Sequence, residues 1–267
     1  MHRCLSVTDI VYVICEKLSE PLGLTGNFSN ELASLAVLAR TCRAVHEPAL
    51  DHLWHTQTSI IPLLRCMPDG TWDYCPYYEE QNGYEEIERA IVGYPTNRIL
   101  SFFWQFPQHP LRTIFPFDWS RPLKYSRHVK HFLDSYNPDV LSPKGYRALV
   151  NSAPVLPIFP SLTHLSWLVH YPECFKHPNL LSYIHLFMGP RIQSIEVSWR
   201  YIDTANQSLL FKLFTATETL KTFRILEPYV NYGMQMFIET MVPHLQSLTD
   251  YVWDGIGPPS DDHFNVL

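Results

Sequence analysis

The sequence lacks the features of a membrane protein and of a nucleic-acid-binding protein. No apolar run approaches the ~18 residues of a membrane-spanning helix, and the longest candidate, residues 10–15, ends at Glu16 and Lys17. The 267 residues include 20 Lys+Arg and 26 Asp+Glu, a net charge of −6, whereas proteins that bind phosphate backbones carry a basic face. We therefore expect neither a membrane nor a nucleic acid among its partners.

The sequence motifs of several enzyme classes are also missing. The chain has no G-x-S-x-G, no phosphate-binding glycine loop and no H-E-x-x-H, the motifs of a serine nucleophile, a nucleotide site and a zinc protease. Gly255 and Gly257 are followed by two prolines, which exclude the helix that a dinucleotide loop requires. His128 and His131 form a close pair, but such pairs are expected by chance among 13 histidines. We expect no catalytic residue, no metal and no cofactor.

Signals for secretion are absent as well. Asp9 interrupts the stretch in which a signal peptide would be apolar, and none of the six cysteines forms a C-x-x-C pair. We therefore predict reduced thiols in a cytoplasmic or nuclear protein.

Apolar residues are plentiful: 46% of the chain is hydrophobic and only 17% is charged, so a folded core is expected. Ser6–Asp9 has the form of a helix N-terminal cap, and Ile10, Val13, Ile14 and Leu18 follow at helical spacing. Pro21, Gly23 and Gly26 then break the chain. A second helix is predicted from Ser29 or Asn30, a third from Pro48, and a short fourth segment over residues 60–67.

Over residues 5–54 the apolar pattern resembles an F-box. The residues that carry the resemblance are Ile10, Ile14 and Leu18, then Leu35, Leu38, Ala39, Cys42 and Arg43, then Pro48, Ala49, Leu50, Leu53 and Trp54. The family's opening proline is missing, and the loop over residues 19–30 is longer than usual. With residues 59–68 and 118–125 included, the sequence is similar to those of F-box proteins from mushroom-forming basidiomycete fungi.

The resemblance implies docking to a Skp-family adaptor and, through the adaptor, to a cullin scaffold. It implies these adaptor-binding residues: Ile10, Ile14, Leu35, Leu38, Ala39, Pro48, Leu50, Leu53 and Trp54. An alternative is that the same helices only close the domain that follows them.

Residues 68–158 form a segment rich in aromatic residues and proline. A helix is predicted over residues 84–92, and Asp118 is predicted to cap a short helix that carries Trp119, Leu123 and Tyr125. Aromatic residues of this kind most often pack a linker onto its neighbouring domain. An enzyme site in this segment is a weaker alternative.

Residues 159–255 contain an internal repeat. The template L-x-x-L-x-L begins at Leu162, Ile192 and Leu220, and Leu245 is predicted to begin a fourth copy. Helical patterns over residues 180–187, 208–214 and 234–241 separate the copies. One strand and one helix in each repeat, with this template, are the signature of leucine-rich repeats. A similar start at Val129 and the last copy each carry an acidic residue, Asp134 and Asp250, where an apolar one is expected.

Side chains between the apolar positions of stacked repeats line one face of a curved parallel sheet. The predicted target-binding residues are His164, Ser166, Glu196, Ser198, Thr222, Arg224 and Thr249. Their mixed charge fits a protein target better than nucleic acid.

The sequence thus predicts an α+β to α/β protein in four parts. They are an F-box-like three-helix unit (1–67), a connecting segment (68–158), a short, irregular leucine-rich-repeat solenoid (159–255) and a polar tail (256–267). The predicted function is that of a non-catalytic substrate receptor in a Skp–cullin–F-box ubiquitin ligase, with an unknown protein target. The alternative is a leucine-rich interaction protein that has no ligase role.

Overall fold

Among the described residues, helices predominate up to Trp54, and parallel strands recur after it. A computed structural model describes residues 8–19, 28–76, 105–134, 141–167, 178–198, 208–212, 217–226 and 248–254. The helices are α1 (Thr8–Ser19), α2 (Phe28–Ala39), α3 (Arg43–Trp54), α4 (Ile61–Leu64), α5 (Pro122–Ser126), α6 (Pro143–Ser152) and two 3₁₀ helices, Pro116–Trp119 and Pro178–Leu186. The strands are β1 (Thr56–Gln57), β2 (Trp72–Pro76), β3 (Gln105–Pro110), β4 (His131–Asp134), β5 (His164–Trp167), β6 (Ser194–Ser198), β7 (Thr222–Leu226) and β8 (Asp250–Asp254). The predicted mixed α/β class is confirmed.

The three N-terminal helices pack on one another around small apolar side chains. Val11 and Cys15 of α1, Leu35 of α2, and Val45 and Ala49 of α3 are all buried. The predicted start of α3 at Pro48 is wrong, because the helix begins at Arg43 and Pro48 lies inside it. Val45 lies one turn before Ala49 on the same buried face, so packing favours the additional turn.

The main sheet has six parallel strands in the order β1-β4-β5-β6-β7-β8. It therefore includes strands from the predicted helical unit and the connecting segment as well as from residues 159–255. A two-stranded antiparallel sheet, β2 with β3, lies outside it.

One hydrogen-bonding pattern recurs where each strand of the main sheet begins. The carbonyl of Lys130 accepts the amide hydrogens of Thr163 and His164, and the same double acceptance occurs at the carbonyls of Thr163, Gln193 and Lys221, over 2.8–3.1 Å. The carbonyl of His55, just after α3, accepts the amides of Lys130 and His131 in the same way, both at 2.9 Å. The residue before β1 thus binds the start of β4 in the same way that the residue before β4 binds the start of β5.

The register of the strands corrects the last predicted repeat. Phe223 lies opposite Tyr251, not opposite Leu248. Leu248 therefore occupies the position of Leu220, and the fourth copy begins three residues later than the sequence pattern predicted. Asp250 then lies opposite Thr222, where a polar side chain is expected, and no longer interrupts the apolar row.

The strand after Val129 pairs with β5 in the register that the sequence template predicts. Phe132 pairs with Leu165, and Asp134 lies opposite Trp167 at the end of the strand. Val129 itself is fully buried, as are Leu162, Ile192 and Leu220. The buried starting residue and the strand after it recur even though Asp134 departs from the template.

Aromatic side chains fill the core beneath the middle of the sheet. Phe132 stacks on Phe187 with ring centroids 4.9 Å apart, and Phe159 and Trp167 lie against the same ring. All four are at most 1% exposed, and burial of this much apolar surface is the main stabilising contribution expected here.

Two predicted helices, residues 84–92 and 234–241, lie outside the described residues. Of the other two, residues 180–187 mostly coincide with the second 3₁₀ helix, and residues 208–212 are helical. Asp118 does not cap α5 as predicted. It lies within the first 3₁₀ helix, where its carboxylate accepts the amide hydrogen of Phe115 at 2.8 Å.

Candidate interaction surfaces

The outer side of α1 is an apolar surface. Ile10, Val13 and Ile14 are 42%, 54% and 38% exposed, and their spacing places them on one side of the helix. The buried side of α1 carries Val11 and Cys15 instead. Three residues of the predicted apolar stripe, Ile10, Val13 and Ile14, therefore face solvent, whereas Leu18 is half-buried and packs against the core.

Two of the predicted adaptor-binding residues, Ile10 and Ile14, thus lie on this exposed surface. The other seven lie in or beside the core of the helical unit: Leu35, Ala39, Pro48, Leu50 and Trp54 are buried, and Leu38 and Leu53 are half-buried. On α2 the exposed apolar residues are Leu32 and Val37, at 45% and 64%.

A hydrogen-bonded network joins the helical unit to the segment before β4. The Asp51 carboxylate accepts a hydrogen bond of 2.6 Å from the Tyr12 hydroxyl, and its other oxygen lies 2.5 Å from His128 Nδ1. Beside it, Arg127 Nη2 donates to Glu47 Oε2 at 2.8 Å. We call these five residues the junction network; it connects α1 and α3 to the start of the sheet.

The network changes the pKa values of two of its members. The hydrogen bond to Asp51, together with burial, raises the pKa of Tyr12 to about 12. Burial alone would raise the pKa of Asp51, but hydrogen bonds from Tyr12 and His128 outweigh it, and the pKa is lowered. At neutral pH Asp51 is therefore a carboxylate that accepts from two elements at once, as expected of charge-assisted hydrogen bonds.

An aromatic contact strengthens the same junction. The Trp54 ring stacks on Tyr125 of α5, with ring centroids 4.9 Å apart and an interplanar angle of 12°. Trp54 is therefore part of the contact between α3 and α5, which favours a structural role for this side chain.

The polar face of the main sheet carries most of the predicted target-binding residues. In register across β5, β6 and β7, His164, Ser194 and Thr222 form one row, and Ser166, Glu196 and Arg224 form the next. Arg224 Nη1 lies 3.5 Å from Glu196 Oε1. The sheet thus brings His164, Glu196, Thr222 and Arg224 onto one face.

The other three predicted target-binding residues are Ser166, Thr249 and Ser198. Ser166 is only 4% exposed, because its small side chain lies between Leu133 and Glu196 in the row. Thr249 precedes β8, and Asp250 takes the position next to Thr222. Ser198 lies at the end of β6, opposite Leu226.

Histidines cluster at one end of this face. The His131 ring contacts His55 and His164 edge to face, with ring centroids 4.5 and 4.3 Å apart. We call these three residues the histidine row. The hydroxyl of Thr163 lies 2.9 Å from His164 Nδ1, and the hydroxyl of Thr56 lies 3.1 Å from His55 Nδ1.

The histidine row is uncharged at neutral pH. Burial, followed by the neighbouring His164, His55 and Lys130, lowers the pKa of His131 to about 4. Burial also lowers the pKa of His55 and of His164. Among the described residues no group of three or more His, Cys, Asp or Glu side chains could hold a metal ion.

No protein-family model, curated protein or solved structure matches this chain. In the described part of the chain, no helix has the length and apolar character needed to cross a membrane. The function must therefore be argued from the surfaces themselves.

Sequence reasoning missed the junction network and the histidine row. The members of each are far apart in the chain, and no motif connects them. A weak signal for the row existed, since His131 and His164 both stand one residue before the central apolar position of a repeat.

Proposed function

We propose that this chain is a non-catalytic substrate receptor of a Skp–cullin–F-box ubiquitin ligase. In this proposal the N-terminal helices are an F-box that docks a Skp-family adaptor, and the parallel strands belong to an irregular leucine-rich-repeat solenoid that holds a protein target. Catalysis would lie in other subunits, and this chain would supply proximity between the target and the activated ubiquitin.

The observation that supports adaptor docking most strongly is the exposed apolar side of α1. Ile10, Val13 and Ile14 remain in solvent although α1 has its own buried face. Exposed apolar clusters commonly mark protein interaction sites. Complete burial of a large aliphatic side chain stabilises by about 1.5–3 kcal/mol, so these three half-exposed residues would contribute about 3 kcal/mol in total on docking.

The junction supports the same proposal in a second way. A receptor must hold its target at a fixed distance from the adaptor, and here the junction network and the Trp54–Tyr125 stack connect α1 and α3 to the first strands of the sheet. A rigid connection of this kind would fix the position of the polar face relative to the adaptor.

A second candidate function is favoured by the His55 carbonyl, which directly follows α3 and accepts the amide hydrogens at the start of β4. In this view the helices are only an N-terminal cap on a solenoid that binds proteins, and the exposed side of α1 docks nothing. The two candidates differ in one outcome, the capture of an adaptor.

The test is co-purification of the full chain with a Skp-family adaptor from a mushroom-forming fungus. The variant Val13→Glu with Ile14→Glu should lose the adaptor, because it places two charges on the proposed contact surface. Val155→Glu is the matched control, since Val155 is 55% exposed and Val13 is 54% exposed. Circular dichroism and thermal unfolding establish that both variants fold.

Capture by the wild type and by Val155→Glu, but not by the double variant, is the expected result. If the folded wild type captures no adaptor, the receptor proposal is refuted and the cap function replaces it. Trp54→Ala is unsuitable for this test, because loss of its stack on Tyr125 would damage the fold itself.

A further inference from the structure

Three large apolar side chains are held in solvent by the loop that follows β3. Leu111, Phe115 and Phe117 are 58%, 46% and 65% exposed. The Phe115 and Phe117 rings are stacked nearly parallel, 5.5 Å apart at an interplanar angle of 10°, so each still presents a face to solvent. No part of the proposed adaptor or target surfaces accounts for this cluster.

An ion pair between a buried carboxylate and a partly exposed arginine fixes the loop in this shape. The Asp118 carboxylate, 1% exposed, accepts two hydrogen bonds from Arg112, each 2.7 Å long. Arg112 also donates to the Thr71 hydroxyl at 3.0 Å, which ties the loop to the residue just before β2. Because the loop is already ordered, a partner would lose less conformational entropy on binding to it than on binding to a flexible segment.

Exposed cations continue this surface along the chain. The 3₁₀ helix Pro116–Trp119 leads through helical backbone at Ser120 and Arg121 into α5. Phe117, Arg121 and Lys124 follow one another at spacings of four and three residues and are all exposed, so they lie on one side of this helical stretch. Its opposite side carries Trp119 and Pro122, which are buried.

None of the described acidic residues occupies the two cations. Within the described part of the chain, no carboxylate forms a salt bridge with Arg121 or Lys124. The neighbouring Tyr125 raises the pKa of Arg121, so Arg121 is charged and carries five N–H donors. We call Phe115, Phe117, Arg121 and Lys124 the apolar–basic ridge.

From this arrangement we infer that the apolar–basic ridge binds an acidic peptide segment that carries a large apolar side chain. The apolar side chain would pack on Phe117 and Phe115, and the carboxylates would pair with Arg121 and Lys124. Aromatic anchors with charged neighbours are typical of the residues that dominate peptide and protein interfaces.

The charge of the molecule favours a peptide over the other anionic partners. Two cations attract an anionic membrane by only about 1 kcal/mol each, and a net charge of −6 opposes approach to a membrane surface or to nucleic acid. A short acidic segment carries only a few charges, so this long-range repulsion is weaker for it than for a membrane or a nucleic acid, and it still reaches both cations. This inference does not depend on adaptor docking, which would use α1.

The experiment is a selection of random short peptides displayed on phage against the full-length chain. Selected peptides are then synthesised with a fluorophore, and their binding is measured by fluorescence anisotropy. The expected peptides combine Asp or Glu with a nearby aromatic or large aliphatic residue. Phe117→Ser and the charge reversal Arg121→Glu with Lys124→Glu should each weaken binding at least about tenfold.

Two controls make the result specific. Val155→Ser changes an equally exposed apolar side chain elsewhere and should leave the affinity unchanged. A peptide with its acidic residues replaced by lysine should bind the charge-reversed variant and not the wild type. Circular dichroism establishes folding, and adaptor capture by Phe117→Ser should equal that of the wild type if the receptor proposal holds.

Several outcomes would overturn the inference. One is the absence of any enriched peptide, and another is enriched peptides whose affinity is unchanged by both ridge variants. Binding to phosphatidylserine vesicles or to nucleic acid through the same residues, without peptide binding, would assign the ridge to a different partner and equally refute the inference.

Discussion

Lowering the pH should destabilise the fold through His131. Its pKa is depressed from the usual 6.5 to about 4, whereas in the unfolded chain it returns to the ordinary value. As the pH falls from about 6.5 towards about 4, the unfolded state therefore binds a proton that the folded state does not, and stability is lost over this window.

The size of this loss follows from the shift. Each pKa unit corresponds to about 1.36 kcal/mol, so the shift gives an upper limit of about 3 kcal/mol. Because the ring is partly exposed and solvent screens its neighbours, we expect about 1–2 kcal/mol.

The assay is urea unfolding of the wild type and of His131→Gln at about pH 7.5 and about pH 4.5, with the free energy of unfolding obtained by linear extrapolation. His131→Gln keeps a polar side chain that cannot titrate, so the wild type should lose about 1–2 kcal/mol more than the variant on acidification. His109→Gln is the control, because His109 is half-exposed and lies outside the histidine row. Equal pH dependence in the wild type and His131→Gln would refute the reasoning.

Three other substitutions test the packing and the ion pairs. Asp118→Asn should cost about 2 kcal/mol in urea unfolding, because the buried side chain loses its charge-assisted hydrogen bonds to the partly exposed Arg112. Arg112→Met with Asp118→Leu should recover much of that loss, and an Asp118→Asn variant as stable as the wild type would contradict this. Gly145→Ala should lower the melting temperature, because the added Cβ would lie 2.5 Å from Cδ1 of the buried Leu141. Overpacking of this kind costs about 1–3 kcal/mol, which outweighs the preference of alanine for helices. A higher melting temperature would show that Leu141 can move. Asp51→Ala should cost about 2 kcal/mol and speed hydrogen exchange in α1 more than in β6, since the lost hydrogen bonds belong to the junction; equal acceleration in both elements would count against a local role.

Parts of the fold were predictable because their signals are local. Helical spacing from Ile10 to Leu18 and the break that begins at Pro21 predict α1 and its end near Ser19. The start of α2 is predicted to within two residues, and the alternation around Leu165, Ile195 and Phe223 predicts β5, β6 and β7. Each signal comes from residues close together in the chain, where the periodicity of helix or strand is directly visible.

The register of the last strand was not predictable in this way. Leu245 and Leu248 fit the template as well as Leu248 and Tyr251 do, and only pairing with Phe223 distinguishes them. Two sets of apolar residues, shifted by three positions, could therefore form the buried side of this strand. Pairing with the neighbouring strand selects one of the two registers.

The candidate surfaces were likewise only partly predictable from the sequence. The sequence identified α1 as amphipathic, and it placed His164, Glu196 and Arg224 between apolar strand positions. It did not determine that Ile10 and Ile14 face solvent while Val11 and Cys15 face the core, because the helix carries apolar residues on both sides and the neighbouring helices decide which side is buried.

By itself, then, the sequence determined the kinds of elements, most of their positions and the mixed α/β class, since these follow from composition and periodicity along the chain. Only the tertiary structure decided that β1 and β4 join the sheet, that Asp51 meets His128, and that His131 contacts both His55 and His164. Those side-chain contacts join residues 33 to 77 positions apart. Chain separation of that length leaves no local pattern, so such contacts arise only when the whole core packs together.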